Sequence, residues 1–396
     1  MNPARVCLVG VGGYARVHLR HLVDFHSRGL LRFVGAVALP AEMEMDPEAR
    51  TAAEACGTRL FASFESMREA LPELRADLVV LPTPIHLHVP MAVTLLRAGV
   101  HVLVEKPLTA TARELEELLR VEAQTRRLLA VGFQYLHAGE VQALKAALDA
   151  GAIGRIRRMS VHAAWPRSHS YYTRNDWAGR LRVNDAAVFD SPVTNAMSHF
   201  LMLMLFLAGR RTGEPARPQR VSAELYRAQR IESFDTCVLH YEADGTRFDF
   251  YGTHSSRAVE RPSLLIEGAD GRAEWVQDSH ATIERGIARK VFEAKPESAT
   301  REQMLRDVLA RVRGEASFVC TATMAGAHVH SIAALHERGA IVDVPANCVK
   351  QREEDGQVFS YVENLDQPLL DASRRGVGLR EAGVPWAVAP QAIELL

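Results

Sequence analysis

The stretch "VGVGGYARVH", Val9 to His18, constrains the fold more than any other. It follows the apolar run "RVCLVGV" and opens "YARVHLRHLVDF", a segment of helical periodicity. A glycine-rich turn between a buried strand and a helix is the fingerprint of a dinucleotide-binding unit. Gly10 permits the tight turn, Gly12 lets a pyrophosphate approach the backbone, and Ala15 keeps the third position small. Gly13 and Tyr14 complete the turn. The same turn would also suit an α/β unit that binds no nucleotide.

The following sequence continues the alternation. "RFVGAVAL", "DLVVLP", "HVLVE" and "LLAVGF" have the composition of buried strands, and "HVPMAVTLLRAG" and "TARELEELLRVEAQT" that of helices. The expected fold class is α/β, a Rossmann-type doubly wound parallel sheet over residues 1–134. After Tyr135 the rhythm changes. A helix, "GEVQALKAALDAG", and the strand "IRRMSVHAAW" precede "RVSAELYR", "CVLHYEA", "RFDFYG", "SLLIEGA" and "RAEWV". Asp244-Gly245 and Asp270-Gly271 mark turns, which predicts a largely antiparallel open sheet in an α+β domain over residues 135–396. The helices "REQMLRDVLARVR" and "TMAGAHVHSIAALHER" follow, and the tail from Val349 to Leu396 has no assigned role. A chain of 396 residues suits two such domains.

One element of the fingerprint is missing. Leu39 and Pro40 stand where an acid normally accepts from the adenosine ribose hydroxyls, and Glu42, Glu44 and Asp46 are the acids that could reach back. No arginine follows the strand to hold a 2′-phosphate, so NAD is the expected cofactor, with NADP left open.

Composition narrows the partners. Lys plus Arg, 47, against Asp plus Glu, 48, leaves no basic face for nucleic acid or a membrane surface. Five scattered cysteines, never spaced as CxxC, predict neither a disulfide framework nor a metal site. No signal-peptide core opens the chain, and the apolar run Phe200 to Ala208 falls short of the ~20 residues of a membrane span, so a cytoplasmic protein is expected.

Chemistry concentrates at strand ends. "VVLPTPIHLH" puts Thr83 and Pro84 after the fourth strand, and "HVLVEKPL" puts Glu105, Lys106 and Pro107 after the fifth. A lysine there can hold a substrate hydroxyl and stabilise an alkoxide as the proton leaves; an ion pair with Glu105 is the simpler role. In "DSPVTNAMSHFLMLMLFLAG", Asn195 and His199 precede an apolar core run that includes Met202 and Met204. At i and i+4 on a helix they share a face, and a histidine can take a hydroxyl proton; a satisfied core histidine would look the same. Asn195 can hydrogen-bond but carries no charge. Asp190 is either a cap or a replacement carboxylate. "WPRSHSYYTRNDWAGRL" offers Trp165, Arg167, His169, Tyr172, Asn175 and Trp177 to a sugar, or to a subunit contact.

Together "GVGGYA", "TPIHLHVPMA", "EKPLTAT", "GFQY", "GAIGRIRRMSV" and "NAMSHFLMLMLFLAG" resemble the glucose–fructose oxidoreductase, inositol dehydrogenase and MocA family. The resemblance spans nearly the whole chain. It implies a nicotinamide cofactor, a C-terminal sheet that forms a homo-dimer or homo-tetramer, and oxidation or reduction of a sugar or polyol at a secondary carbon. It places Gly10, Gly12, Thr83, His88, Glu105, Lys106 and Gln134 around the cofactor, with Lys106 also facing substrate. It makes His199 the proton acceptor and puts Asn195 where many members carry aspartate. Two other functions remain compatible: glycoside cleavage with retained, recycled NAD, and a sensor of dinucleotide or sugar that turns nothing over.

Overall fold

Short runs rich in β-branched residues, each with helical sequence after it, build the first sheet. In the computed structural model, which describes residues 3–40, 42 and 46–395, β1 (Ala4–Val9), β2 (Leu31–Val37), β3 (Arg59–Phe61), β4 (Leu78–Leu81), β5 (His101–Val104) and β6 (Leu129–Val131) pair in the order β3-β2-β1-β4-β5-β6. Every pairing is parallel. Helices α1 (Ala15–Ser27), α2 (Pro47–Ala55), α3 (Phe64–Leu74), α4 (Ile85–Arg97) and α5 (Ala112–Thr125) make the crossovers. The order of growth reverses between β1 and β4, which opens a crevice at their carboxyl ends.

The chain forms two compact units, and they are not two consecutive pieces. The first comprises Met1–Thr109, Arg113–Phe133 and Arg301–Ala325; the second comprises Ala110–Ala112, Gln134–Thr300 and Gly326–Leu396. The first unit therefore draws on residues far beyond the expected boundary at 134. Met304, Leu305, Val308 and Leu309 share a core with Val6, Leu8, Phe33 and Val80 of the sheet and with Leu19, Leu22 and Phe25 of α1.

The second unit contains α6 (Gly139–Asp149), β7 (Ile156–Ala164), α7 (His169–Thr173), the short pair β8 (Arg182–Val183) and β9 (Ala186–Ala187), and α8 (Ser198–Ala208). Then come β10 (Arg220–Arg227), β11 (Thr236–Ala243), β12 (Thr246–Thr253), β13 (Glu260–Gly268), β14 (Arg272–Val276), β15 (His280–Arg285) and β16 (Ala288–Glu293). They form one sheet in the order β16-β15-β14-β13-β7-β12-β11-β10, antiparallel except where β7 meets β12. Asp244 and Gly245 both have positive φ, 52° and 70°, as the two-residue turn between β11 and β12 requires. Helix α9 (Glu297–Val312) leads to α10 (Ala322–Arg338) and to β17 (Ile341–Asp343), which extends the sheet beside β10.

The tail is part of this architecture. β18 (Val349–Glu354) and β19 (Gln357–Val362) form a hairpin, α11 (Asp366–Arg375) packs on β7 and β12, and β20 (Gln391–Glu394) pairs antiparallel with β10. Leu365, Leu369, Ala372, Leu379 and Val384 close over Tyr226, Val238 and Tyr251. Beneath them Asp249 receives Arg158, Arg247 and His240 at 2.6–2.8 Å. Arg158 also donates to the Arg374 carbonyl and Tyr251 to that of Val377. The sheet is open in having two edges, but its own chain covers the face over these strands.

Candidate active site

In the first unit, strand ends bring the predicted cofactor residues to one edge. Gly10 follows β1 with φ +96°, and a Cβ placed there would lie 3.4 Å from that of Ala15, so both positions favour the smallest side chains. Gly13 also has positive φ, +52°. Tyr14 is 42% exposed and meets His18 edge-on.

The acid absent from residues 39 and 40 arrives from further along. Glu42 Oε1 accepts the Gly12 N–H at 3.2 Å and Oε2 accepts the Leu39 N–H at 3.1 Å. The carboxylate thus ties the glycine turn to the end of β2. Asp46 and Glu48 pair with Arg16 at 3.2 and 2.8 Å. Glu44 lies outside the described residues.

After β4, the Thr83 Oγ1 is buried and has no hydrogen-bond partner among the described residues. Pro84 caps α4. His88, 1% exposed, places one ring nitrogen 2.9 Å from the Thr83 carbonyl oxygen and the other 2.9 Å from that of Pro107. It lies between the "TP" and "KP" segments, and because burial lowers its pKa the neutral ring donates to one of the two carbonyls. After β5, buried Glu105 meets His18 Nε2 at 2.8 Å and accepts the Lys106 N–H at 3.2 Å. Burial works to raise the Glu105 pKa, but the His18 hydrogen bond, the His18 charge and the Lys106 charge outweigh it and hold the carboxyl low. Gly132 lies so close to Glu105 that a Cβ would come within 2.8 Å of its Oε1.

In the second unit, α8 is apolar on every side and wholly buried from Ser198 to Leu207. Met202 and Met204 are core, as expected. His199 stands in its first turn, 7% exposed, with the Tyr135 ring edge-on at 5.5 Å between centroids. Asn195 does not share that helix, which corrects the i, i+4 expectation: residues 191–197 are turns, and the Asn195 N–H donates to the Ser191 carbonyl at 3.0 Å. The Ser191-Pro192 start delays the helix. Asn195 Nδ2 donates to Asp190 Oδ1 at 2.9 Å and to the Tyr171 hydroxyl at 3.3 Å.

The predicted sugar contacts divide into groups. The Trp165 ring meets Phe200 at 5.3 Å, and the Arg167 guanidinium lies over the Trp165 and Tyr171 rings, at 5.5 and 4.8 Å from their centroids. His169 and Tyr172 instead line a cavity of about 530 Å³ with Gln229, Arg230, Gln351 and Ser360. His169 Nε2 lies 2.8 Å from the Ser360 hydroxyl of the tail hairpin. The Tyr172 hydroxyl is buried with no partner among the described residues, and burial raises its pKa well above 10. Asn175 is spent on its own turn, accepting from the Trp177 and Ala178 amides. The Trp177 ring lies under Arg174. Gln134 is buried and donates to Glu297 at 3.1 Å. Sequence reasoning passed over Tyr171 and His18; Tyr171 stands directly beside Tyr172, in the segment already singled out for aromatic groups.

Residues 4–133 match the GFO/IDH/MocA family described as "Oxidoreductase family, NAD-binding Rossmann fold", and residues 141–274 match the "GFO/IDH/MocA C-terminal domain". These segments make up more than half of the chain. A dTDP-3,4-didehydro-2,6-dideoxy-alpha-D-glucose 3-reductase from Streptomyces violaceoruber is 33% identical over 165 residues, 42% of this chain and 46% of the relative. An inositol 2-dehydrogenase from Leifsonia xyli subsp. xyli is 31% identical over 167 residues, 41% of this chain and 47% of the relative. The chain thus matches about half the length of these curated relatives. The WlbA dehydrogenase from Bordetella pertussis, solved in complex with NADH and UDP-GlcNAcA, superposes with a TM-score of 0.70 at 22% identity, covering 85% of this chain and 96% of that one. At that identity the likeness is one of fold.

Proposed function

The chain belongs to the GFO/IDH/MocA family of oxidoreductases, and from that membership we propose that it moves hydride between a nicotinamide cofactor and a secondary hydroxyl or ketone of a sugar, polyol or sugar derivative. The observation that carries this reading is His199, a buried imidazole at the mouth of an otherwise apolar helix, with Asn195 and Asp190 just upstream. The cofactor, when bound, supplies the hydride acceptor or donor.

The residues then take distinct tasks. The glycine turn gives the pyrophosphate room to approach the backbone at the start of α1, and Thr83 offers a buried hydroxyl. Lys106 holds the reacting oxygen and favours its alkoxide, while Glu105 and His18 fix the backbone from which it projects. His199 takes the hydroxyl proton in oxidation and returns it in reduction. Glu42 accepts from the adenosine ribose hydroxyls and repels a 2′-phosphate, which supports NAD over NADP. Self-association through the C-terminal sheet would use the strip β13–β16, where Val291 is exposed and Leu265 half-buried, since the tail packs over β10, β11 and β12.

Purified protein mixed with NAD or NADP and a panel of myo-inositol, free hexoses, UDP-sugars and dTDP-sugars tests the reading. The expected result is cofactor turnover with at least one member, faster with NAD. Glycoside cleavage without net NADH would replace it with the retained-cofactor reading. A folded protein that turns over no panel member in either direction would sink it.

A further inference from the structure

Asn195 sits against a buried carboxylate, and the geometry of that contact says where the charge lies. Asp190 is 3% exposed, and one of its oxygens, Oδ2, accepts the Gly179 N–H at 2.6 Å. The other, Oδ1, accepts from Asn195 Nδ2 at 2.9 Å. An ionised carboxylate only accepts, so the amide nitrogen of Asn195 must face it, and the amide carbonyl must point the other way. The Tyr171 hydroxyl accepts from the same Nδ2 at 3.3 Å. Tyr171 is itself held: Arg174 and Arg167 lie over its ring at 3.5 and 4.8 Å from the centroid, and His254 lies 6.3 Å away.

Resting on the reading of His199 as proton acceptor, we propose that Asp190 is the positioning residue of the site, and that Asp190 and Asn195 work as a pair with one charge between them. Asp190 supplies the negative charge. Asn195 supplies an amide that cannot ionise. An aspartate at position 195 would put two carboxylates about 3 Å apart, where one proton must be shared. The amide is therefore the residue that Asp190 requires, and proton transfer in this unit falls to His199 alone. Burial and the Asp190 charge both raise the Tyr171 pKa, so Tyr171 stays a neutral hydroxyl near neutrality. Arg167 and Arg174 are the cations that face the pair through Tyr171.

The test is a four-member cycle: wild type, Asp190→Asn, Asn195→Asp and the exchange Asp190→Asn/Asn195→Asp. Two readouts are taken on each, the thermal midpoint from about pH 5 to about pH 8 without substrate, and kcat and KM on whichever panel substrate the wild type turns over. Asn195→Asp is expected to lose several degrees as pH rises and to fall at least about tenfold in kcat/KM at the alkaline end. Asp190→Asn is expected to lose about tenfold in kcat with little change in the pH profile of stability. The exchange restores one charge and one amide, and is expected to recover both the midpoint profile and most of the turnover. A single Asn195→Asp variant that is as stable and as fast as wild type at the alkaline end, or an exchange no better than the single variants, overturns the pairing. If no panel substrate reacts, the proposed activity fails on its own and the catalytic part of the pairing falls with it, while the midpoint profiles still decide whether the charge is shared.

Discussion

Glu105 Oε1 lies 2.8 Å from His18 Nε2, and both side chains are almost wholly withdrawn from water. The pair joins α1 to the end of β5 and so fixes the backbone of Lys106. The Glu105 carboxyl is held low despite its burial, so its contribution to stability is complete above the ordinary carboxylate range and is lost as pH falls through that range. Glu105→Gln keeps the shape and removes the charge. It is expected to cost about 1–3 kcal/mol at neutral pH and less in acid. Denaturant melts at the two pH values check this; an equal loss at both would show that the charge contributes nothing.

The Glu42 contact to Gly12 predicts a change of cofactor preference. Glu42→Ala is expected to raise KM for NAD by about tenfold, one lost charge-assisted hydrogen bond, and to narrow its advantage over NADP. Initial rates with both cofactors decide. An unchanged ratio would assign the ribose to another group.

His199→Ala and Lys106→Met are expected to lower kcat by about 10²–10⁴. His199→Ala leaves NAD affinity intact in a fluorescence titration, because His199 belongs to the proton and not to the dinucleotide. Wild-type turnover in either variant would remove that residue from the chemistry.

Three histidines of the second unit make acid costly. Burial lowers His336 and His162 from 6.5 to about 4 and His254 to about 3, with Arg374 adding to the effect on His162 and Arg167 to that on His254. Their neutral forms are the folded ones, so this stability is present above 6.5 and is lost as pH falls towards 4. His336 stacks between Phe189 and Phe234, at 5.0 and 4.9 Å. His336→Phe is expected to flatten the slope of stability against pH by up to about 1.4 kcal/mol per pH unit in that window. Calorimetry across the window measures it, and an unaltered slope would show that this imidazole does not titrate with unfolding.

The tail is expected to hold its sheet face by packing as well as by charge. Leu369 is fully buried, and Leu369→Ala should cost about 2–5 kcal/mol. A variant unfolding with wild-type midpoint would mean that α11 is not part of the cooperative unit.

Most of the fold was legible because its elements carry their own periods. Five apolar runs of the first domain and six strand segments of the second fell where strands formed, and Asp244-Gly245 gave its turn outright. The tail hairpin carries the same signal at Asp355-Gly356, both with positive φ, but its strands are half exposed and polar and so lack a buried period. Placement was legible where one residue sits after one strand end, as with Thr83 and Lys106. It was not legible where function depends on long-range pairing. Nothing local links His18 to Glu105, Tyr171 to Asn195, or Glu42 to a glycine thirty positions earlier. The helix expected to carry Asn195 starts three residues late because Pro192 and its neighbours form turns first.

The return of residues 301–325 to the first unit has a consequence for synthesis. The Val131 amide donates to the Cys320 carbonyl, and Met304 to Leu309 complete the core beside α1. A ribosome that has finished β6 has about 170 residues still to add before this layer exists, on the order of 10–30 s at ~5–20 residues per second. Throughout that interval the apolar strip of Leu22, Phe25 and their neighbours lacks its cover. The nascent dinucleotide domain is therefore completed only late in synthesis, and a chain stopped at the natural-looking boundary near residue 134 would keep that surface exposed for good.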